Sequence, residues 1–227
     1  MKSHNSIRKF IFFVLSLIGF SSDMRGAVVL NFDSLITSPA GGVSNGFTIA
    51  DSGFLLTADT SDKREFRGYE DGWQLNRGSS NGSTYAALWT ASFLPLSFMI
   101  EPTLTPAFDL ISIDLAEMLN NGDPSFDRVA RRVSFEGHLL SGGSVTQNFI
   151  LDLSSDGKGG GTDFETLALL PSFVGLSSVT IKASSGNSLG TYLAFDNISL
   201  QGAVPEPSVG ALFGLALLLW GLVQRTR

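Results

Sequence analysis

The sequence predicts one all-β domain of antiparallel strands, arranged as a sandwich and flanked by two short terminal segments. Short runs of β-branched and aromatic residues recur between clusters of Gly, Ser, Asn and Asp. No long stretch repeats its apolar residues with the period of a helix. The composition, 43% apolar and 16% charged, supplies enough apolar side chains for a core. At about 100–200 residues per domain, 227 residues allow one domain and its tails.

Ten candidate strands can be placed along the body of the chain, residues 28–201. Ile111, Ile113 and Leu115 alternate with polar residues, which predicts that one face of their strand is buried. Residues 140–144 contain two glycines and predict a hairpin connection between two strands. Strands at this spacing, without helices between them, indicate an antiparallel sandwich or barrel. The candidates are Val28–Asp33, Phe47–Ala58, Thr84–Thr90, Ser97–Glu101, Leu110–Ala116, Arg132–Leu140, Ser144–Leu153, Phe164–Leu169, Val179–Ala183 and Tyr192–Leu200.

The first 27 residues have the organisation of a secretory signal peptide. A basic leader with Lys2, Arg8 and Lys9 precedes an uncharged apolar run over residues 10–20, and small residues follow up to Ala27. This order of leader, apolar core and small residues is typical of an export signal, and 11 apolar residues are too few to span a bilayer stably. We therefore expect residues 1–27 to direct export.

The last 26 residues, 202–227, predict a membrane-anchoring segment. After Pro205, Glu206 and Pro207 comes a charge-free apolar stretch, residues 209–223, and the chain closes with a tail that contains Arg225 and Arg227. A helix of 15 residues covers only about 22 Å of a ~30 Å hydrocarbon core, so its length alone also fits a buried helix. Its uniformly apolar surface and the arginines after it favour a transmembrane helix with a cytoplasmic C-terminus.

The charge and the residue types exclude several function classes. The whole chain carries a net charge of −6, but residues 28–204 contain nine basic against 19 acidic side chains, a net charge of −10. Nucleic-acid binding depends on clustered Lys and Arg, so we expect no nucleic-acid partner. The chain has no Cys, which excludes disulfides, thiol catalysis and every Cys-ligated metal site.

The C-terminal pattern resembles the PEP-CTERM sorting signal of Gram-negative bacteria that make extracellular polysaccharide. The resemblance rests on Val204 to Ser208, the apolar stretch and the arginine tail, and members of that family also carry an N-terminal signal peptide. It implies recognition by a membrane transpeptidase-like enzyme, an exosortase, which cleaves near the Pro-Glu-Pro element. The body would be membrane-anchored before processing and then released or attached at the cell surface. Residues 108–200 are similar to the jelly-roll bodies of such proteins, so the resemblance implies a jelly-roll-like β-sandwich.

The body offers few residues with the pattern of a catalytic site, and we predict no catalytic residue. His138 is the one histidine outside the leader, and it lies on a predicted strand two residues after Glu136. No catalytic partner is evident in the sequence, which is more typical of an exposed strand histidine than of a general base. Gly42–Gly46 matches the G-x-S-x-G pattern of a serine nucleophile, but that motif requires a strand–turn–helix context, and here another strand follows.

Two binding sites are predicted from residue types and positions. Asp33 ends the first candidate strand and Asp196 lies in the last one, so a carboxylate pair there could hold a structural Ca²⁺. The alternative is that Asp33 starts a turn and Asp196 caps a backbone group. Tyr69, Trp73 and Trp89 could stack on sugar rings, while the alternative is that these large aromatic side chains fill the core. No other cofactor is predicted.

We therefore expect an exported, non-enzymatic protein of the cell surface or extracellular matrix, with the cytoplasmic membrane and an exosortase as partners. The first alternative is a carbohydrate-binding module of the exopolysaccharide matrix, which needs exposed aromatic side chains. The second is a glycoside-active enzyme, which needs two facing carboxylates about 5–10 Å apart. Asp62, Glu65, Glu70 and Asp71 are available for that role, but their spacing selects no pair.

Overall fold

The computed structural model describes residues 25–38, 42–59, 65–71, 81–90, 95–117, 130–152, 163–184 and 191–203. Residues 27–202 form one compact unit. Every regular element in the described part is a β-strand, so the all-β prediction is confirmed. The strands are β1 (Arg25–Leu30), β2 (Val43–Ser44), β3 (Thr48–Asp51), β4 (Phe54–Ala58), β5 (Arg67–Tyr69), β6 (Tyr85–Thr90), β7 (Leu96–Pro102), β8 (Phe108–Glu117), β9 (Arg132–Leu139), β10 (Ser144–Ile150), β11 (Glu165–Ala168), β12 (Leu176–Ser184) and β13 (Thr191–Ala203).

The strands form one curled sheet with two parts, which we call sheet 1 and sheet 2. Sheet 1 has the order β2-β5-β6-β13-β8-β11, and β1 also pairs with β13. Sheet 2 has the order β10-β9-β12-β7-β4-β3. The two parts are joined where Leu176 of β12 pairs with Phe108 of β8. Wherever the register is defined, neighbouring strands are antiparallel, as predicted.

Phenylalanine rings join the inner faces of the two sheets. Phe98 of β7 stacks on Phe195 of β13 with ring centroids 4.6 Å apart and an interplanar angle of 19°. Phe66 lies edge-on to both rings, at centroid distances of 6.0 and 5.9 Å. All three side chains are at most 1% exposed. Because side chains alternate along a strand, each sheet contributes one apolar face, and this core holds the two faces together.

Polar side chains close one edge between the sheets. Gln147 of β10 donates from Nε2 to the carbonyl of Ala168 at 3.3 Å, and its Oε1 accepts from the backbone N–H of Leu170 at 2.7 Å. These bonds link the edge strand of sheet 2 to the end of β11, the edge strand of sheet 1. Edge backbone groups that find such partners are less open to pairing with another chain.

The hairpin predicted at residues 140–144 is confirmed, whereas the candidate strand Phe47–Ala58 is wrong as a single element. It is the hairpin β3–β4, in which Asp51 pairs with Phe54. Ser52 and Gly53 have φ of 46° and 84°, the left-handed values of a tight hairpin turn. The strands β2 and β5 were not predicted, because runs of two and three residues carry no periodicity.

Several predicted features lie outside the described residues. They are the leader up to residue 24, Trp73, the Pro205–Pro207 element, the apolar stretch 209–223, Arg225 and Arg227. Within the residues that are described, none belongs to a helix long and apolar enough to cross a membrane.

Candidate functional site

One face of sheet 1 points away from the core, and we call it the outer face. Ala86 and Leu88 of β6 point into the core, so the alternation of side chains turns Tyr85 and Ala87 to the outer face. The register places two rows of side chains side by side across this face. The first row contains Arg67, Ala87, Ala194 and Ala116, and the second contains Tyr69 beside Tyr85 and Asp196 beside Asp114.

The aromatic end of the outer face is packed. Tyr69 is 5% exposed and stacks on the fully buried Tyr85, with ring centroids 5.6 Å apart and an interplanar angle of 11°. Phe164 meets Tyr85 edge-on at 5.4 Å. Burial raises the pKa of Tyr69, and the charge of Arg67 opposes that rise. The faces of both tyrosine rings are therefore largely occupied by protein, which fits the core-filling alternative for Tyr69.

Of the other two predicted glycan-binding residues, the structure describes only the backbone of Trp89. Trp73 lies outside the described residues, and so does the side chain of Trp89. The backbone of Trp89 lies in β6 directly opposite Tyr192 of β13, and Tyr192 is half-buried. A glycan-binding role for Trp73 and Trp89 stays a prediction.

The acidic end of the outer face centres on Asp196, which is fully buried. Its Oδ2 accepts hydrogen bonds from Asn81 Nδ2 at 2.5 Å and from Ser83 Oγ at 2.7 Å. Its Oδ1 is also buried and accepts no hydrogen bond from the residues that the structure describes. Burial raises the pKa of Asp196, the donors Asn81, Ser83 and the Asn197 backbone oppose that rise, and the negative charge of Asp33 adds to it.

The structure brings Asp33 and Asp196, the two predicted calcium ligands, near each other, since the charge of Asp33 adds to the raised pKa of Asp196. β1 pairs with β13, and the ring of Phe32, one residue before Asp33, meets the ring of Phe195 at a centroid distance of 5.2 Å. The Asp33 side chain is exposed, and its Oδ2 accepts from Asn31 Nδ2 at 3.0 Å. From the sequence alone, the proximity of Asp33 and Asp196 could be suggested only by their positions in the first and last strands.

Asp114 lies directly across from Asp196, but its carboxylate is already satisfied. Its Oδ1 accepts from Thr166 Oγ1 at 2.6 Å, and its Oδ2 accepts from Asn197 Nδ2 at 2.9 Å. Asn197 has a φ of 45°, and the register of β13 shifts between Asp196 and Ser199. This bulge directs the amide of Asn197 towards Asp114, so that two carboxylates can lie side by side without sharing donors.

A separate group of three carboxylates was not predicted from the sequence. Oxygens of Glu117, Asp152 and Glu165 all lie within 4.8 Å of one another. Burial raises the pKa of Glu165, the Asp152 backbone N–H opposes that rise, and the charges of Asp152 and Asp163 add to it. Carboxylates at this spacing could bind a cation, but Glu117 is fully buried, which excludes a large substrate from its side chain. The only sequence signal would have been acidic residues at the ends of strands that become neighbours.

The carboxylates considered for a glycoside-active enzyme have local structural partners where they are described. Glu65 Oε2 accepts from Ser44 Oγ at 2.6 Å, so the serine of the G-x-S-x-G pattern lies beside a carboxylate at the end of the short strand β2. Glu70 Oε1 accepts from Thr37 Oγ1 at 3.3 Å. Asp71 Oδ1 accepts from the Gly82 backbone N–H at 3.0 Å. Asp62 lies outside the described residues. The absence of an enzyme activity stays a prediction.

No family model and no curated protein matches the chain. Among solved structures, the K1 cleaved adhesin domain of Lys-gingipain from Porphyromonas gingivalis W83 is 11% identical, covering 78% of this chain and 98% of its own, with a TM-score of 0.42. A family 29 carbohydrate-binding module from Piromyces equi is 6% identical, with coverages of 81% and 95% and a TM-score of 0.42. A Stig cyclase from Fischerella sp. TAU is 13% identical, with coverages of 78% and 98% and a TM-score of 0.44. These scores are below 0.5, and the three proteins differ in function, so no family and no activity follows from the similarities.

Proposed function

We propose that the chain is an exported, non-enzymatic protein of the cell surface or extracellular matrix, sorted through residues 202–227. The observation that carries the proposal is the order of segments along the chain. An export-type leader precedes one compact all-β unit, residues 27–202, and a Pro-Glu-Pro element, a charge-free apolar stretch and an arginine tail follow. Each segment has a physical role in that order, because export, membrane anchoring and release require a leader, an apolar segment and a cleavable junction.

In this proposal the body is a jelly-roll-like sandwich that is first anchored in the cytoplasmic membrane. The central position of β13 between β6 and β8 supports the jelly-roll assignment, because the last strand is then enclosed by the sheet. The apolar stretch 209–223 would anchor the chain, with Arg225 and Arg227 on the cytoplasmic side. An exosortase would then cleave near Pro205–Pro207 and free the body from the membrane.

The experiment is cell fractionation of the full chain in two hosts that differ only in the exosortase. Without the enzyme, we expect the chain in the membrane fraction; with it, we expect the body at the surface or in the medium. Replacement of Pro205, Glu206 and Pro207 by alanine should keep the chain in the membrane in both hosts. Pro171→Ala, in an exposed turn of the body, is the matched control and should leave release unchanged. If the alanine variant is released as efficiently as the wild-type chain in the host with the exosortase, the sorting role is refuted.

The second candidate function is binding of an extracellular polysaccharide at the outer face of sheet 1. The specific observation is that Tyr192 is half-buried and lies directly opposite the backbone of Trp89, beside the buried row of Ala87, Ala194 and Ala116. A partly exposed tyrosine ring offers a sugar both an apolar face and a polar hydroxyl, whereas the buried alanines offer no surface. Titration of the matrix polysaccharide into wild-type, Tyr192→Ala and Trp73→Ala proteins tests it, with Phe47→Ala as a control. Equal binding by all four proteins would end this candidate.

A further inference from the structure

The acidic end of the outer face contains a buried carboxyl group, Asp196, with one oxygen that accepts no hydrogen bond from the described residues. A buried carboxylate normally pairs with a cation or has both oxygens hydrogen-bonded. Asp196 is fully buried, and the two side chains that donate to it, Asn81 and Ser83, both bond Oδ2, while Oδ1 lacks a hydrogen-bond partner among the described residues. No described Lys or Arg forms an ion pair with Asp196 or Asp33.

The fold adds a second carboxylate to this place instead of a compensating positive charge. The rings of Phe32 and Phe195 are in contact within the core, and the next residues in the chain, Asp33 and Asp196, lie near enough for the charge of Asp33 to raise the pKa of Asp196. The Asp33 side chain is exposed and can therefore turn towards a ligand without losing buried contacts. Two carboxylates that approach each other are unfavourable unless a cation or a proton lies between them.

We propose that Asp33 and Asp196 bind one Ca²⁺ ion, which fastens the segment after β1 to β13. Ca²⁺ prefers carboxylate and carbonyl oxygens and accepts irregular sets of six to eight ligands, so backbone carbonyls and water can complete the two aspartates. Zn²⁺ prefers Cys and His ligands, which this end of the outer face lacks among its described residues. Binding does not depend on the export and sorting proposed above.

Asp114 provides a matched control, because it lies directly across from Asp196 on the neighbouring strand but is not a ligand in this proposal. Both of its oxygens already accept hydrogen bonds, from Thr166 and Asn197. A general effect of negative charge at this end of the face would therefore appear in Asp114→Asn as well. Loss of a specific ligand would appear only in Asp33→Asn and Asp196→Asn.

The test is calcium titration of the full chain, purified in mild detergent and stripped of metal with EGTA, by calorimetry and by thermal unfolding. We expect one Ca²⁺ per chain. At a free calcium concentration 100 times Kd, the unfolding midpoint should rise by about 5–10 °C. Asp33→Asn and Asp196→Asn should each weaken binding at least ~10-fold, whereas Asp114→Asn should stay within about threefold of wild type.

Three outcomes overturn the proposal. The first is a wild-type chain that shows neither a heat of binding nor a shift of the midpoint with calcium. The second is wild-type affinity in Asp33→Asn, whose exposed position makes this variant foldable even where Asp196→Asn is not. The third is an Asp114→Asn variant that loses as much affinity as Asp33→Asn. In the first case, protonation of Asp196 is what compensates the buried carboxylate.

Discussion

The packing of Phe195 allows a quantitative prediction about the core between the two sheets. Its ring is fully buried and touches the rings of Phe32, Phe66 and Phe98 at centroid distances of 5.2, 5.9 and 4.6 Å. Phe195→Ala removes the ring from among three other rings held on separate segments, so the space cannot close by a single side-chain movement. We expect a loss of about 3–5 kcal/mol in the free energy of unfolding. The measurement is equilibrium urea unfolding of the full chain, followed by far-UV circular dichroism.

A double-mutant cycle tests the contact between the sheets more directly. The variants are Phe98→Leu, Phe195→Leu and the double variant. Either single substitution already removes the stacking of the two rings, so the double variant should lose about 0.5–1.5 kcal/mol less than the sum of the two single losses. Ile150→Ala is the control for a general effect of truncation, since Ile150 is 68% exposed; its cost should stay within about 0.5 kcal/mol. A coupling near zero, or a Phe195→Ala cost no larger than that of Ile150→Ala, would refute face-to-face packing of the sheets through these rings.

Three further predictions concern pH, a turn and a surface ion pair. Burial raises the pKa of Asp196, so the folded chain binds a proton at this carboxyl group more tightly than the unfolded chain does. Without calcium, the free energy of unfolding should therefore fall as pH rises from about 4 through the raised pKa. A urea series across pH in EDTA measures this slope, which Asp196→Asn should reduce. Gly53→Val should lower the free energy of unfolding by about 1–2 kcal/mol in the same assay, because φ at this position is 84° and an added Cβ would lie 3.1 Å from Leu104 Cδ1. An unchanged free energy of unfolding would contradict the turn. Lys182→Ala should leave the thermal midpoint unchanged at pH 7, because its 2.9 Å ion pair with Glu136 is solvent-exposed; a large drop would contradict that view.

Local patterns in the sequence predict most of the strands, and long-range contacts explain what they do not predict. Alternation over seven to ten residues identifies strands such as β8 and β9, because one face of each must be buried. The same reasoning joined β3 and β4 into one strand, since the apolar residues on both sides of Ser52 and Gly53 hid the turn. The order of the strands within the sheets depends on pairings between distant segments, which no local pattern contains.

For the candidate sites too, local patterns in the sequence predict some residues, while others are brought together only by long-range contacts. Asp33 and Asp196 could be paired from the sequence, because each lies at a recognisable place in the first or last strand. Glu117, Asp152 and Glu165 could not, because they meet only through the pairing of β8 with β11 and the return of the chain after β10. The burial of Tyr69 likewise follows from its stacking on Tyr85 across two strands, a contact that neither segment reveals alone.

The intact mass of the mature protein tests the central claim of export and C-terminal sorting most directly. The protein should be purified from exopolysaccharide-producing cells with and without the exosortase. With the enzyme, we predict a product that lacks the leader up to about residue 27 and ends at or near Pro205–Pro207. Without it, the leader should be absent and Arg227 retained. A cytosolic product that keeps both Met1 and Arg227 in cells with the enzyme would contradict the proposed function.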